Sequence, residues 1–208
     1  MFYRLAKMSD VAVIADIQYR TKETNSNGIF YLLGRPFLRQ YFKLAMSDPC
    51  TVFRCVEADD GRVIGFGWSV LDIERHQRYM LKHRWRLALP ALISIIARPS
   101  LCKKLLIRYK SFRNNDQTFM NAHGAVGRFW GWDPRYKDSE SAVEFLNIGL
   151  RLVHALKVDT LHMEVDLSNS RVYKFHKLNG ATVDKIVTLP DGRERAFMTY
   201  DLTKPLRF

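Results

Sequence analysis

Apolar and polar residues alternate over Thr160–Asp166, with Leu161, Met163 and Val165 on one side and His162, Glu164 and Asp166 on the other. A period of two marks a strand with one buried face. Thr51–Glu57 and Val63–Val70 also read as strands, and Asp59-Asp60-Gly61-Arg62 between them is a hairpin turn. Phe2–Ala6 predicts a first strand, and residues 181–189 and 194–202 a closing hairpin across Pro190-Asp191-Gly192-Arg193. Strand character also runs from Phe119 to Trp132, interrupted by Gly124, Gly127 and Gly131.

Helical spacing fills the rest. Val11, Ile14, Ala15 and Ile17 follow a cap at Ser9 or Asp10, and after a polar loop at Lys22–Gly28 a second helix runs from Pro36 to about Met46. Ala142, Phe145, Leu146, Gly149, Leu150 and Val153 set the core face of a helix over Ser139–Leu156, and a shorter helix spans Ser168–Leu178. The C-terminal part is thus strand, helix, strand, helix, hairpin. One crossover followed by an antiparallel pair predicts an α/β (α+β) architecture with a mixed, mostly antiparallel sheet that splays open for an extended ligand. Gly65 and Gly67, on one face of their strand, predict room for something lying against the sheet.

At 208 residues and 47% hydrophobic content the chain is expected to form one domain, 1–208, with a sizeable core. No run is long and apolar enough to suggest a transmembrane helix or a signal peptide. Cys50, Cys55 and Cys102 lack metal-ligand spacing, so reduced thiols in a cytoplasmic protein and no metal are expected. The net charge of +12 is concentrated in Glu74–Arg113, where eleven Lys or Arg stand against the single acid Glu74. This segment, about 74–113, breaks the strand pattern with helices punctuated by Pro90 and Pro99.

Asn169-Ser170-Arg171-Val172-Tyr173-Lys174-Phe175-His176-Lys177-Leu178-Asn179-Gly180-Ala181, within this order of elements, resembles the fourth-helix motif of the GCN5-related N-acetyltransferase (GNAT) superfamily. The resemblance covers nearly the whole chain apart from the basic insert. It implies acetyl-CoA as co-substrate and direct transfer of acetyl to the amine of a small or sugar-linked acceptor. Asn169 takes the motif's Asn place, and His176 stands at the place of the tyrosine that protonates the thiolate, with Tyr173 one turn earlier as its substitute. The backbone of Trp130, Gly131 and Trp132 would polarise the thioester, and the turn Lys137, Asp138, Ser139, Glu140, Ser141 and Ala142 would hold the pyrophosphate. The turn departs from the family pattern: Glu140 stands where a glycine is usual, and a plain capped helix is the competing reading. The strand lacks the family's carboxylate base, which leaves His123 as the candidate.

The insert has three readings: a solvated face with a packed apolar side, a site for the phosphates of an acceptor such as a nucleotide-sugar, or a peripheral contact at the inner face of a membrane. Nucleic acid ranks behind these as a partner, and a homodimer is compatible with the chain. Two alternatives to acetyl transfer are a degenerate binding module of the same fold and a membrane-surface acyltransferase using a longer acyl chain.

Overall fold

The computed structural model of the chain describes residues 1–21, 29–103, 105–106, 123–136, 138–189 and 192–204. Among them are strands β1 (Phe2–Leu5), β2 (Thr51–Glu57), β3 (Val63–Val70), β4 (Ala125–Trp132), β5 (Thr160–Asp166), β6 (Thr182–Thr188) and β7 (Glu194–Asp201). The main helices are α1 (Val11–Arg20), α2 (Ile29–Leu32), α3 (Gly34–Met46), α4 (Ile73–His83), α5 (Trp85–Ala97), α6 (Ser139–Ala155) and α7 (Ser170–Leu178).

The strands form one sheet in the order β1-β2-β3-β4-β5-β7-β6. Every neighbouring pair is antiparallel except β4 and β5, which run parallel. The mixed sheet expected from the element order is therefore present. Alternation along each strand then assigns side chains to the two faces. On one face, Phe53 and Cys55 of β2, Phe66, Trp68 and Val70 of β3 and Val126 of β4 pack with Val11, Ile14 and Ile17 of α1 and Leu38 and Phe42 of α3. Phe53 stacks on Trp68 with ring centroids 4.6 Å apart. On the other face, Leu146, Leu150 and Val153 of α6 meet Leu161, Met163 and Val165 of β5 and Met198 and Tyr200 of β7.

Three expectations change. α5 runs through Pro90, and the break falls at Arg84 instead, between α4 and α5. The Ser94 hydroxyl on the next turn donates to the Pro90 carbonyl at 2.9 Å. Gly65 and Gly67 leave no room for a ligand: a Cβ on Gly65 would stand 2.7 Å from Val56 and 2.8 Å from Trp132, and one on Gly67 3.2 Å from Phe145. Protein side chains already lie against the sheet there. Finally, β4 starts at Ala125, and the proposed strand start from 119 to 122 lies outside the described residues. Cys50 and Cys55 are buried and Cys102 is exposed, all three as free thiols, and burial pushes the Cys55 thiol up to about 12. No helix among the described residues is long and apolar enough to cross a membrane.

Candidate active site

The site is built from the one parallel pair. β4 and β5 are in register only at Ala125↔Leu161 and Val126↔His162. Beyond Val126 the strands part, so a gap opens towards the C-terminal end of β4. Two features of β4 shape its wall. Arg128 and Phe129 together oppose Trp68, a bulge between the pairs Ser69↔Gly127 and Gly67↔Trp130. Past the bulge, the Asp133 amide donates to the Ile64 carbonyl at 2.7 Å. Antiparallel pairing alternates, so the next hydrogen-bonding pair back is Gly131 with Phe66, and Trp130 and Trp132 are the non-bonding pairs with Gly67 and Gly65. The amides and carbonyls of Trp130 and Trp132 consequently point away from β3, into the gap. Gly131, grouped with them from the sequence, turns its amide the other way.

Side chains of α7 reach β4 across the gap. Phe175 stacks on Trp130 at 5.1 Å between ring centroids, and His176 meets the same indole edge-on at 6.1 Å. His176 Nδ1 lies 2.9 Å from the Tyr200 hydroxyl, and the imidazole is only 2% exposed. Burial lowers its pKa to about 4, so it is neutral at pH 7. This reverses the expectation of a readily donating imidazole: a neutral imidazole is a feeble acid for a thiolate. Tyr173, one turn earlier, is half-buried against the core on the α6 face.

His123 also changes place. It precedes β4, its side chain is 82% exposed, and it is hydrogen-bonded to Glu74 of α4. That position is beyond the closed end of the gap, so it is not a strand residue poised over the acceptor. Asn169 is the N-cap of α7, its Oδ1 accepting from the Val172 amide at 3.4 Å.

The start of α6 lies at the open mouth of the gap, because α6 follows directly from the C-terminal end of β4. Asp138 is its N-cap: one carboxylate oxygen accepts from the Ser141 amide at 3.1 Å and the other from the Ser141 hydroxyl at 2.6 Å. The plain capped helix is thus the local structure. After the Ser141 hydroxyl and amide, the Glu140 amide also faces the Asp138 carboxylate and helps to lower its pKa, which leaves the Ser139 amide for an anion, with the Glu140 side chain exposed and Ala142 buried in the core face. Lys137 lies outside the described residues. The donor set fits a thioester at Trp130 and Trp132 better than it fits a diphosphate at the turn.

On the sheet face away from α6 and α7, β5 and β7 carry paired charges. Glu164 accepts from Arg195 at 2.9 Å and Asp166 from Arg193 at 2.7 Å. The alternation of β5 placed both carboxylates on that face, but their arginine partners, Arg195 on β7 and Arg193 just before it, had no signal in the sequence. Beneath α6 lies Arg54 of β2, 8% exposed, with Nε and Nη1 unpartnered. Its guanidinium is 5.2 Å from the centre of the Phe145 ring and occupies the space a Gly149 side chain would need. Among the described residues no group of three His, Cys, Asp or Glu is arranged to hold a metal ion.

A bulged fourth strand parting from a parallel fifth, with a helix starting at the mouth of the gap, defines the GNAT fold. Solved structures agree. A variant of the spermidine N-acetyltransferase SpeG from Vibrio cholerae superposes with a TM-score of 0.58 at 11% identity, over 98% of this chain and 96% of that one. A candidate phosphinothricin N-acetyltransferase gives 0.60 at 12%, over 98% and 99%. A candidate GNAT-family acetyltransferase from Desulfovibrio desulfuricans gives 0.58 at 9%, over 97% and 98%. At these identities the likeness is one of fold. No protein-family model and no curated protein sequence matches the chain.

Proposed function

We propose that the protein is an acetyl-CoA-dependent N-acetyltransferase that moves the acetyl group directly to the amine of a small acceptor. The observation that carries this reading is the gap between β4 and β5 with the backbone of Trp130 and Trp132 turned into it. An extended thioester laid along β4 would complete the interrupted ladder, and an amide N–H aimed at its carbonyl would stabilise the charge that develops there. The acceptor nitrogen then attacks the carbonyl carbon, the C–N bond forms and the C–S bond breaks. The ammonium proton leaves to water and the thiolate takes a proton. Tyr173 is the proton donor in this reading, since His176 is neutral and engaged with Tyr200. Replacing Tyr173 by Phe is expected to lower turnover at least tenfold with acetyl-CoA affinity unchanged, measured by thiol release and calorimetry. An unaltered rate removes Tyr173 from the mechanism.

The acceptor class in this reading is supported by the strip formed by Glu164, Arg195, Asp166 and Arg193, whose mutual pairs an acceptor carrying both charges would exchange for its own. Carboxylates hold an ammonium, and arginines hold a phosphate or carboxylate in a bidentate grip. The strip therefore favours an acceptor carrying both an amine and an anionic group, such as an amino-sugar linked to phosphate. The test is a thiol-release screen in which matched amines differ only in the anionic group. Faster turnover of the anionic members supports the reading, and equal rates remove the strip from recognition.

A binding module of this fold without chemistry is the second reading. It is favoured by Asp138, whose carboxylate takes one of the first-turn amides of α6. Acetyl-CoA binding without thiol release to any amine would select it.

A further inference from the structure

α5 carries two apolar stripes. Leu87, Ala91 and Ser94 recur at helical spacing and are half-buried where α5 packs on α3, and the Ser94 hydroxyl donates to the Leu33 carbonyl at 2.6 Å. Trp85, Leu89, Leu92, Ile93 and Ile96 recur at the same spacing elsewhere on the helix and are 52–70% exposed, and Leu81 of α4 extends the patch at 60%. Single exposed apolar residues are ordinary, but a contiguous stripe of this kind is the mark of a surface that something covers.

The charges beside it say what that is. Lys82, Arg84, Arg86, Arg98 and Lys103 are all exposed, and no Asp or Glu occurs between Glu74 and Asp116. A second copy of the chain would bring the same cations against these and would be repelled. Nucleic acid would neutralise the cations and leave the stripe in water. An anionic bilayer satisfies both, with the apolar side chains at the acyl boundary and the cations among the phosphates. At 13 residues α5 is about 20 Å long, too short to span the roughly 30 Å hydrocarbon layer, so it lies in the interface plane. We propose that the α4–α5 surface docks the protein on an anionic phospholipid bilayer, with Trp85, Leu89, Leu92, Ile93 and Ile96 inserted and the flanking Lys and Arg on the headgroups. This inference does not rest on the transferase reading.

The experiment is co-sedimentation of the full chain with vesicles of phosphatidylcholine alone or of phosphatidylcholine mixed with phosphatidylglycerol. Binding to the mixed vesicles only is expected, with a blue shift of tryptophan emission that is lost in Trp85→Phe. The double variant Leu89→Glu, Ile93→Glu alters exposed positions alone and is expected to bind at least tenfold more weakly, with unchanged circular dichroism and unchanged affinity for acetyl-CoA. No binding to mixed vesicles by the folded protein overturns the proposal. So does a dimer that the same double variant dissociates, which would make a second copy the occupant. Salt-sensitive binding to an oligonucleotide, equal in wild type and double variant and without vesicle binding, overturns it as well.

Discussion

Replacing His176 by Phe is expected to flatten the acid side of the stability profile. The imidazole has a pKa of about 4 in the fold because burial disfavours its cation, against the ordinary value of 6.5 in the unfolded chain. Below pH 6.5 the unfolded chain takes up a proton that the folded one refuses, so the contribution is complete above pH 6.5 and is lost as the pH falls towards 4. Between pH 7.5 and 4.5 the wild type should lose about 2–3 kcal/mol on this account, at 1.36 kcal/mol per pKa unit. His76, also lowered chiefly by burial, acts in the same direction, and the lowered carboxyls of Asp10 and Asp133 act at still lower pH. These terms are common to both proteins, so urea titrations of wild type and His176→Phe at the two pH values isolate His176. Equal losses in the two proteins would show that the imidazole titrates freely and lies in contact with water. At pH 7.5 the variant should itself be weaker by about 1–2 kcal/mol, because the Tyr200 hydroxyl loses the imidazole at 2.9 Å and keeps only the longer contact to the residue 176 carbonyl at 3.4 Å among the described residues.

The second large effect concerns Arg54 and Gly149. A Cβ on Gly149 would stand 2.1 Å from the guanidinium carbon of Arg54, inside the α6–sheet contact. Alanine is the better helix former by about 1 kcal/mol, so on a free helix surface Gly149→Ala would stabilise. Here overpacking should win, with a net loss of about 1–3 kcal/mol. Arg54→Met should do the opposite. It removes a buried cation whose pKa burial depresses to about 10, with Nε and Nη1 lacking hydrogen-bond partners among the described residues and the Phe145 ring beside it, a gain on the order of 2 kcal/mol. In the Arg54→Met background the cost of Gly149→Ala should fall to near zero or change sign. This coupling would be measured by a double-mutant cycle on urea midpoints. Additive effects would mean that Arg54 does not lie under Gly149.

The fold was legible wherever local pattern decides structure. Thr51–Glu57, Val63–Val70 and Thr160–Asp166 form strands over the residues their alternation marks, and the apolar stripe from Ala142 to Val153 is the buried side of α6. The site was less legible, because its elements are defined by what other strands do. The inward turn of the Trp130 and Trp132 amides depends on a bulge opposite Trp68, which is a property of the β3–β4 register. His176 stood at the place of a proton donor, and its neutrality comes from burial among partners such as Trp130 on β4 and Tyr200 on β7, both distant in the chain. Gly65 and Gly67 suggested space for a ligand, and the space is filled by Trp132, Val56 and Phe145. Gly149 looked like a passive member of a helix face, but it leaves room for a charged side chain from a strand almost a hundred residues earlier. In each case the local signal was present and its meaning was set by a distant partner.

The central claim is that the gap between β4 and β5 receives a CoA thioester along the backbone of Trp130 and Trp132. Titration calorimetry of the full chain with acetyl-CoA, repeated with 3′-dephospho-acetyl-CoA and with pantetheine, tests it most directly. Micromolar binding of acetyl-CoA is predicted, with measurable binding retained by the pantetheine arm alone, because the strand contacts lie along that arm. Absence of heat with acetyl-CoA up to millimolar concentrations would contradict the account and leave the fold without the proposed chemistry.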